Sequence, residues 1–231
     1  MSPDIPLLSG AALGMAAGSF LVPVTRRELA AAVHRSNAGA EQGTASPDTR
    51  PLTTAQRVAL ALASGLLPAY VLLKVGWSAN ALPPLLLLVG LIQLGYCDLA
   101  QRLLPKTLVW GLTAAVLGSA LVVVAFTNEW GRLEIAGLGG VVLFGLLLGI
   151  NLANPRWIAF GDVRLALVVG FGLAWVSPIA LLEGFLLANV LGAVVGFVVI
   201  GFTRVRRRGF AIPFGFYLAL GTAIVLASWS R

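Results

Sequence analysis

Two aspartates carry the chemical interest of this chain. Asp98 opens Asp98-Leu99-Ala100-Gln101-Arg102-Leu103-Leu104-Pro105, and Asp162 sits in Ala159-Phe160-Gly161-Asp162-Val163-Arg164-Leu165. Each stands at the end of a long apolar run, where a carboxylate is costly to keep. Two carboxyl groups held close cannot both ionise comfortably, so one keeps a proton while the other remains a base. The base can take a proton from a water attacking a carbonyl, and the acid can protonate the carbonyl oxygen. Such a pair hydrolyses an amide without any further group.

Rival chemistries lack their residues. The single histidine, His34, lies in a polar connection, so neither Ser64 nor Ser119 has a base inside the apolar segments. The zinc helix His-Glu-x-x-His is missing from the sequence. The single cysteine, Cys97, rules out an internal disulfide and a zinc site made of cysteine pairs, and without an imidazole beside it reads as a small apolar residue. No metal and no cofactor is called for.

The elements that must position the aspartates are membrane helices. Hydrophobic residues make up 58% of the chain and charged residues 11%, against about 25% charged in a soluble domain. Mean hydropathy is +0.93. Apolar runs long enough to span a bilayer are expected at 5–24, 58–75, 81–97, 107–127, 134–151, 161–176, 178–202 and 211–229. The fold class is therefore all-α, a polytopic membrane helical bundle of about eight transmembrane helices. Asp4 and no basic residue precedes the first run, which lacks the positive start of a cleavable signal and is read as a retained span. The domain reading is a first span over 1–24, a flexible polar connection over 25–57 and a seven-span core over 58–231.

Basic residues orient the bundle, because Lys and Arg near span ends stay on the cytoplasmic side. Of the 16 Lys and Arg, all but Lys74, Arg132 and Arg231 fall in the connections 25–57, 98–106, 152–164 and 203–210. That bias predicts both termini outside and both aspartates at the cytoplasmic face. The net charge of +7 is then mainly a topological signal, with contact to the lipid bilayer's anionic headgroups as a secondary effect. No nucleic-acid partner is expected, since the basic residues are scattered over four connections without interleaved aromatics.

The two aspartate motifs resemble those of the prepilin peptidases, the type IV leader peptidases, which are membrane aspartic proteases. Asp98 followed by Leu103-Leu104-Pro105 is similar to the family's first motif, and Ala159-Phe160-Gly161-Asp162-Val163-Arg164-Leu165 resembles its Gly-x-Gly-Asp motif with the basic residue and leucine behind it. Gly18-Ser19-Phe20-Leu21 and Ala211-Ile212-Pro213-Phe214-Gly215-Phe216-Tyr217 resemble its first and last spans, in the same order along the chain. The resemblance implies Asp98 and Asp162 as catalytic residues, with Gly161, Pro105, Arg164 and Leu165 as supporting positions. It implies a prepilin or pilin-like substrate, cut at the cytoplasmic face of the inner membrane by a multi-pass protein.

Three departures stand out. Ala159 replaces the first glycine of Gly-x-Gly-Asp, placing a methyl near the site, and Phe216 stands where the family often has proline. The paired cysteines that accompany N-methylation in bifunctional members are missing from 25–57. Peptidase activity is carried over on these grounds and methyltransferase activity is not. Two alternatives stay open: another Gly-x-Gly-Asp intramembrane aspartyl protease, and an inactive pilus-assembly membrane protein. The first usually sets its other aspartate directly after a tyrosine, whereas Cys97 separates Tyr96 from Asp98 here.

Overall fold

The computed structural model describes residues 54–75, 78–101, 105–155, 157–203 and 214–228. Seven α-helices follow one another: α1 Thr54–Val75, α2 Leu82–Gln101, α3 Lys106–Thr127, α4 Trp130–Ala153, α5 Phe160–Val176, α6 Pro178–Thr203 and α7 Phe214–Ser228. A 3-10 turn, Ala79–Ala81, leads into α2. No strand occurs among the described residues. Four stretches are long and apolar enough to cross a membrane: Ala79–Asp98, Lys106–Thr127, Trp130–Ala153 and Pro178–Val198. The expected first span at 5–24 and most of the 25–57 connection lie outside the described residues, as does His34.

Helix boundaries differ from expectation where charges were read as connection. Helix α4 starts at Trp130 rather than at 134, because Glu129 and Arg132 pair at 3.1 Å across its first turn and satisfy each other there. Helix α1 starts at Thr54, inside the segment read as polar connection. The tight Ser177-Pro178 junction holds: α5 ends at Val176, α6 begins at Pro178, and Ser177 Oγ accepts the Ile179 N–H at 3.1 Å.

Helix α5 is the centre of the bundle. Twelve of its 17 residues are buried, among them Leu165, which is fully enclosed. Helices α3, α4 and α6 turn large apolar side chains outward instead, Phe126 being 84% and Phe197 79% exposed. Lipid tails are as apolar as those side chains, so the helices are held together by close packing rather than by withdrawal from water. Glycine provides that closeness at two crossings. A Cβ at Gly170 of α5 would sit 2.6 Å from the Gly139 carbonyl oxygen of α4, and one at Gly221 of α7 would sit 2.8 Å from the Gly184 carbonyl oxygen of α6. In both places backbone lies directly on backbone.

Polar links fix the helix ends. The Trp175 Nε1–H of α5 donates to the Asn80 carbonyl at 2.9 Å, and Asn80 Nδ2 donates to Glu129 at 3.2 Å. The Arg132 guanidinium, paired to Glu129, lies 5.8 Å from the Trp175 ring centroid. This cluster ties the start of α2, the α3–α4 turn and the end of α5 at one end of the bundle. The end of α2 and the starts of α5 and α7 consequently meet at the opposite end.

Candidate active site

Asp98 lies three residues before the end of α2, and Asp162 lies in the first turn of α5. Both are buried, each 5% exposed. A buried carboxylate needs hydrogen-bond donors to offset its lost hydration. The donors come from a third element. The Phe216 N–H donates to Asp98 Oδ2 at 2.8 Å, and the Gly215 N–H donates to the Asp162 carboxylate. Both amides belong to the first turn of α7, where backbone N–H groups have no partner within the helix and the helix dipole favours negative charge. One helix start thus collects two carboxylates that are 64 residues apart in the sequence. They are close enough for the charge of Asp98 to act on Asp162.

Asp162 has a second donor in its own helix. Ala159 is the N-cap of α5, and its N–H donates to the Asp162 side chain three residues on, while the Asp162 N–H donates to the Ala159 carbonyl at 3.0 Å. The carboxylate reaching back to the N-cap amide is one half of a capping box. It pins the side chain from within α5 as α7 pins it from outside.

Ala159 has φ −70° and ψ 145°, ordinary extended backbone, and its side chain is exposed. Glycine is not required by this conformation, and the extra methyl is not packed into the carboxylate cluster. Ala159→Gly is therefore expected to change any cleavage rate by less than about twofold, while glycine, a better N-cap than alanine, steadies the start of α5 slightly. Steady-state rates of the two proteins in the same membranes check this.

The supporting positions fall into separate roles. Gly161 lies between the N-cap and Asp162 in the first turn of α5. Pro105 is the buried N-cap of α3, and its carbonyl accepts the N–H groups of Leu108 and Val109 at 3.1 and 3.2 Å. It starts the next helix. Arg164 turns to Phe160, its guanidinium 4.5 Å from the ring centroid. Leu165 anchors α5 in the core. Arg102, Leu103 and Leu104 lie outside the described residues. Cys97 is fully buried beside Asp98, as a small apolar residue would be. Ser64 accepts from Gln93 Nε2 at 3.1 Å, and Ser119 donates to the Val116 carbonyl at 2.7 Å, so each hydroxyl has a structural bond.

The amides of Gly215 and Phe216 are the part of the site that residue chemistry did not assign. The signal available was Pro213 directly before an apolar run, a helix-start pattern whose first-turn N–H groups need acceptors. A proline at position 216 would offer no N–H, so the bond to Asp98 depends on the phenylalanine found in this chain.

Fold and site together define a multi-pass helical membrane protein with paired, amide-held carboxylates at one end of the bundle. Residues 85–198, which include both aspartates, match the model of the type IV leader peptidase family. The chain is 33% identical over 171 residues to the Prepilin leader peptidase/N-methyltransferase of Stutzerimonas stutzeri, covering 71% of this chain and 56% of that protein. To the protein of the same name from Burkholderia pseudomallei it is 34% identical over 178 residues, covering 71% and 52%. The protein of that name from Pseudomonas aeruginosa is 31% identical over 173 residues, covering 71% and 56%. The chain belongs to the type IV leader peptidase family. It spans little more than half the length of these curated relatives. No solved structure matches it.

Proposed function

We propose that this chain is an aspartic endopeptidase that removes the leader of a type IV prepilin or pilin-like protein at the cytoplasmic face of the inner membrane. The observation that carries this reading is the convergence of Asp98 and Asp162 on the two amides that open α7. Family membership and the names of the relatives support the choice of reaction. The excess of Lys and Arg in alternate connections supports the orientation, which places the pair on the side where a basic leader ends.

In the proposed reaction a water lies between the carboxyl groups and the scissile carbonyl. The ionised carboxylate takes one water proton as the oxygen bonds to the carbonyl carbon, and the protonated partner gives its proton to the carbonyl oxygen. The tetrahedral diol then collapses. Its C–N bond breaks as the carboxyl that gained the water proton passes it to the departing nitrogen, and the other carboxylate takes back a hydroxyl proton. The amides of Gly215 and Phe216, together with the dipole of α7, keep the pair's negative charge tolerable away from water. They also hold each carboxylate in position before substrate arrives.

The test mixes membranes containing this chain with a prepilin from the same cell and follows leader loss by gel and product mass. Cleavage at the leader junction is expected, and the product mass decides whether the new N-terminus is methylated. Failure to cut any prepilin of that cell would remove the reading. Orientation has its own check: a cysteine placed at Arg206 should resist an impermeant thiol reagent in intact cells and react after the membrane is opened.

A further inference from the structure

We propose that the apolar groove between α1, α2 and α7 seats the membrane helix of the substrate, with the leader end of that helix directed at Asp98. This assignment rests on the peptidase reading above. The groove has a volume of about 260 Å³ and is lined by Leu67 of α1, by Leu88, Gly95 and Tyr96 of α2 and by Phe216 and Ala223 of α7. That space is too small for a helix but suited to the side chains along one face of one.

Four observations point to a helix as the occupant. The lining on α2 runs from Leu88 to Tyr96, about 12 Å along the axis at 1.5 Å per residue. This length receives side chains at i, i+3 or i+4, and i+7 of a docked helix. No lining residue is charged, which suits an apolar span and turns away a basic leader. The floor is made of small residues: a Cβ at Gly95 would meet the Ala219 methyl at 3.5 Å, and Ala223 follows one turn along α7. Small residues at that spacing let another backbone approach closely.

The fourth observation is continuity with the carboxylate pair. Phe216 lines the groove while its own N–H holds Asp98, and Tyr96 lies two residues before Asp98 on the same helix. A helix lying in the groove therefore ends beside the pair, and the peptide bond just beyond its apolar stretch is delivered to the water. Position of the cut follows from where the apolar face stops.

The test places a photo-crosslinking residue at Ile92 or Ala223, both partly buried at the groove, in the full chain carrying Asp98→Asn. The same residue at Phe126, 84% exposed on α3, serves as the control. Prepilin should be captured from Ile92 and Ala223 and not from Phe126. In the otherwise unchanged chain, Ala223→Leu fills the groove and should raise KM for prepilin about fivefold, with a much smaller change in kcat. Val194→Leu, exposed on α6, should behave as the unchanged protein. Capture of lipid, of a second copy or of this chain's own residues 5–24 in place of prepilin would overturn the assignment, as would an unaltered KM in Ala223→Leu. An unchanged chain that cuts no prepilin overturns the peptidase reading and this assignment with it. A cutting chain whose groove probes miss prepilin overturns the groove alone.

Discussion

Asp98→Asn and Asp162→Asn are each expected to lower leader cleavage by at least about a thousandfold, within the range that a positioned acid or base contributes. Asparagine nearly matches aspartate in shape, and its carbonyl can still accept the Phe216 or Gly215 N–H. What it loses is the ability to hold and release a proton at the acid–base position. In the proposed mechanism each carboxyl group acts first in one direction and then in the other, so neither can be spared. The double variant should be little worse than either single one, since residues that act as a unit lose their effect together.

The fold should survive both changes. Each variant replaces one carboxyl of a buried pair that shares a single negative charge with a neutral amide and keeps the bonds to α7, so melting in detergent should match or exceed that of the unchanged chain. Leader cleavage at the original rate by both variants would end the paired-carboxylate mechanism. Full loss in one variant with an unaffected other would leave a single catalytic carboxylate and a purely structural partner.

Gly170→Leu is expected to produce the largest loss of stability. A Cβ there would lie 2.6 Å from the Gly139 carbonyl oxygen and 3.1 Å from the Gly140 Cα, and backbone cannot rotate aside as a side chain can. Helices α4 and α5 would have to separate, with a cost of about 3 kcal/mol or more for overpacking at a rigid contact. Cleavage should fall as well, because α5 carries Asp162 and its N-cap. The contrasting variant is Gly118→Ala on α3, where an added Cβ meets nothing within 4 Å. That change should be neutral or stabilise by up to about 1 kcal/mol through helix propensity. Thermal melts of the three proteins in one detergent decide the matter, and equal melting of Gly170→Leu and the unchanged chain would show that the α4–α5 contact is not so tight.

The helices themselves were legible because membrane helices answer mainly to length and apolarity. Seven described helices fall on the seven expected segments from 58 onward, with differences at ends where charged residues sit inside a first turn. Trp130 to Leu133 shows why. Arg132 resembles connection by type, but a partner at Glu129 lets it join the helix, and that pairing depends on geometry. Ala159 shows the same limit of reading by residue type. A methyl in a motif glycine position suggests crowding, while the observed backbone angles and outward side chain remove it.

By itself the sequence determined the all-helical, apolar class of fold and singled out the two carboxylates, because these depend on residue type, run length and charge count. Only the tertiary structure decided how Asp98 and Asp162 are held. Their donors are backbone amides of Gly215 and Phe216, the latter 118 residues from Asp98. Every residue other than proline carries such an amide, so its presence in the sequence marks nothing. It becomes a ligand for a carboxylate only when a helix begins there and packing brings that helix start against the ends of two others.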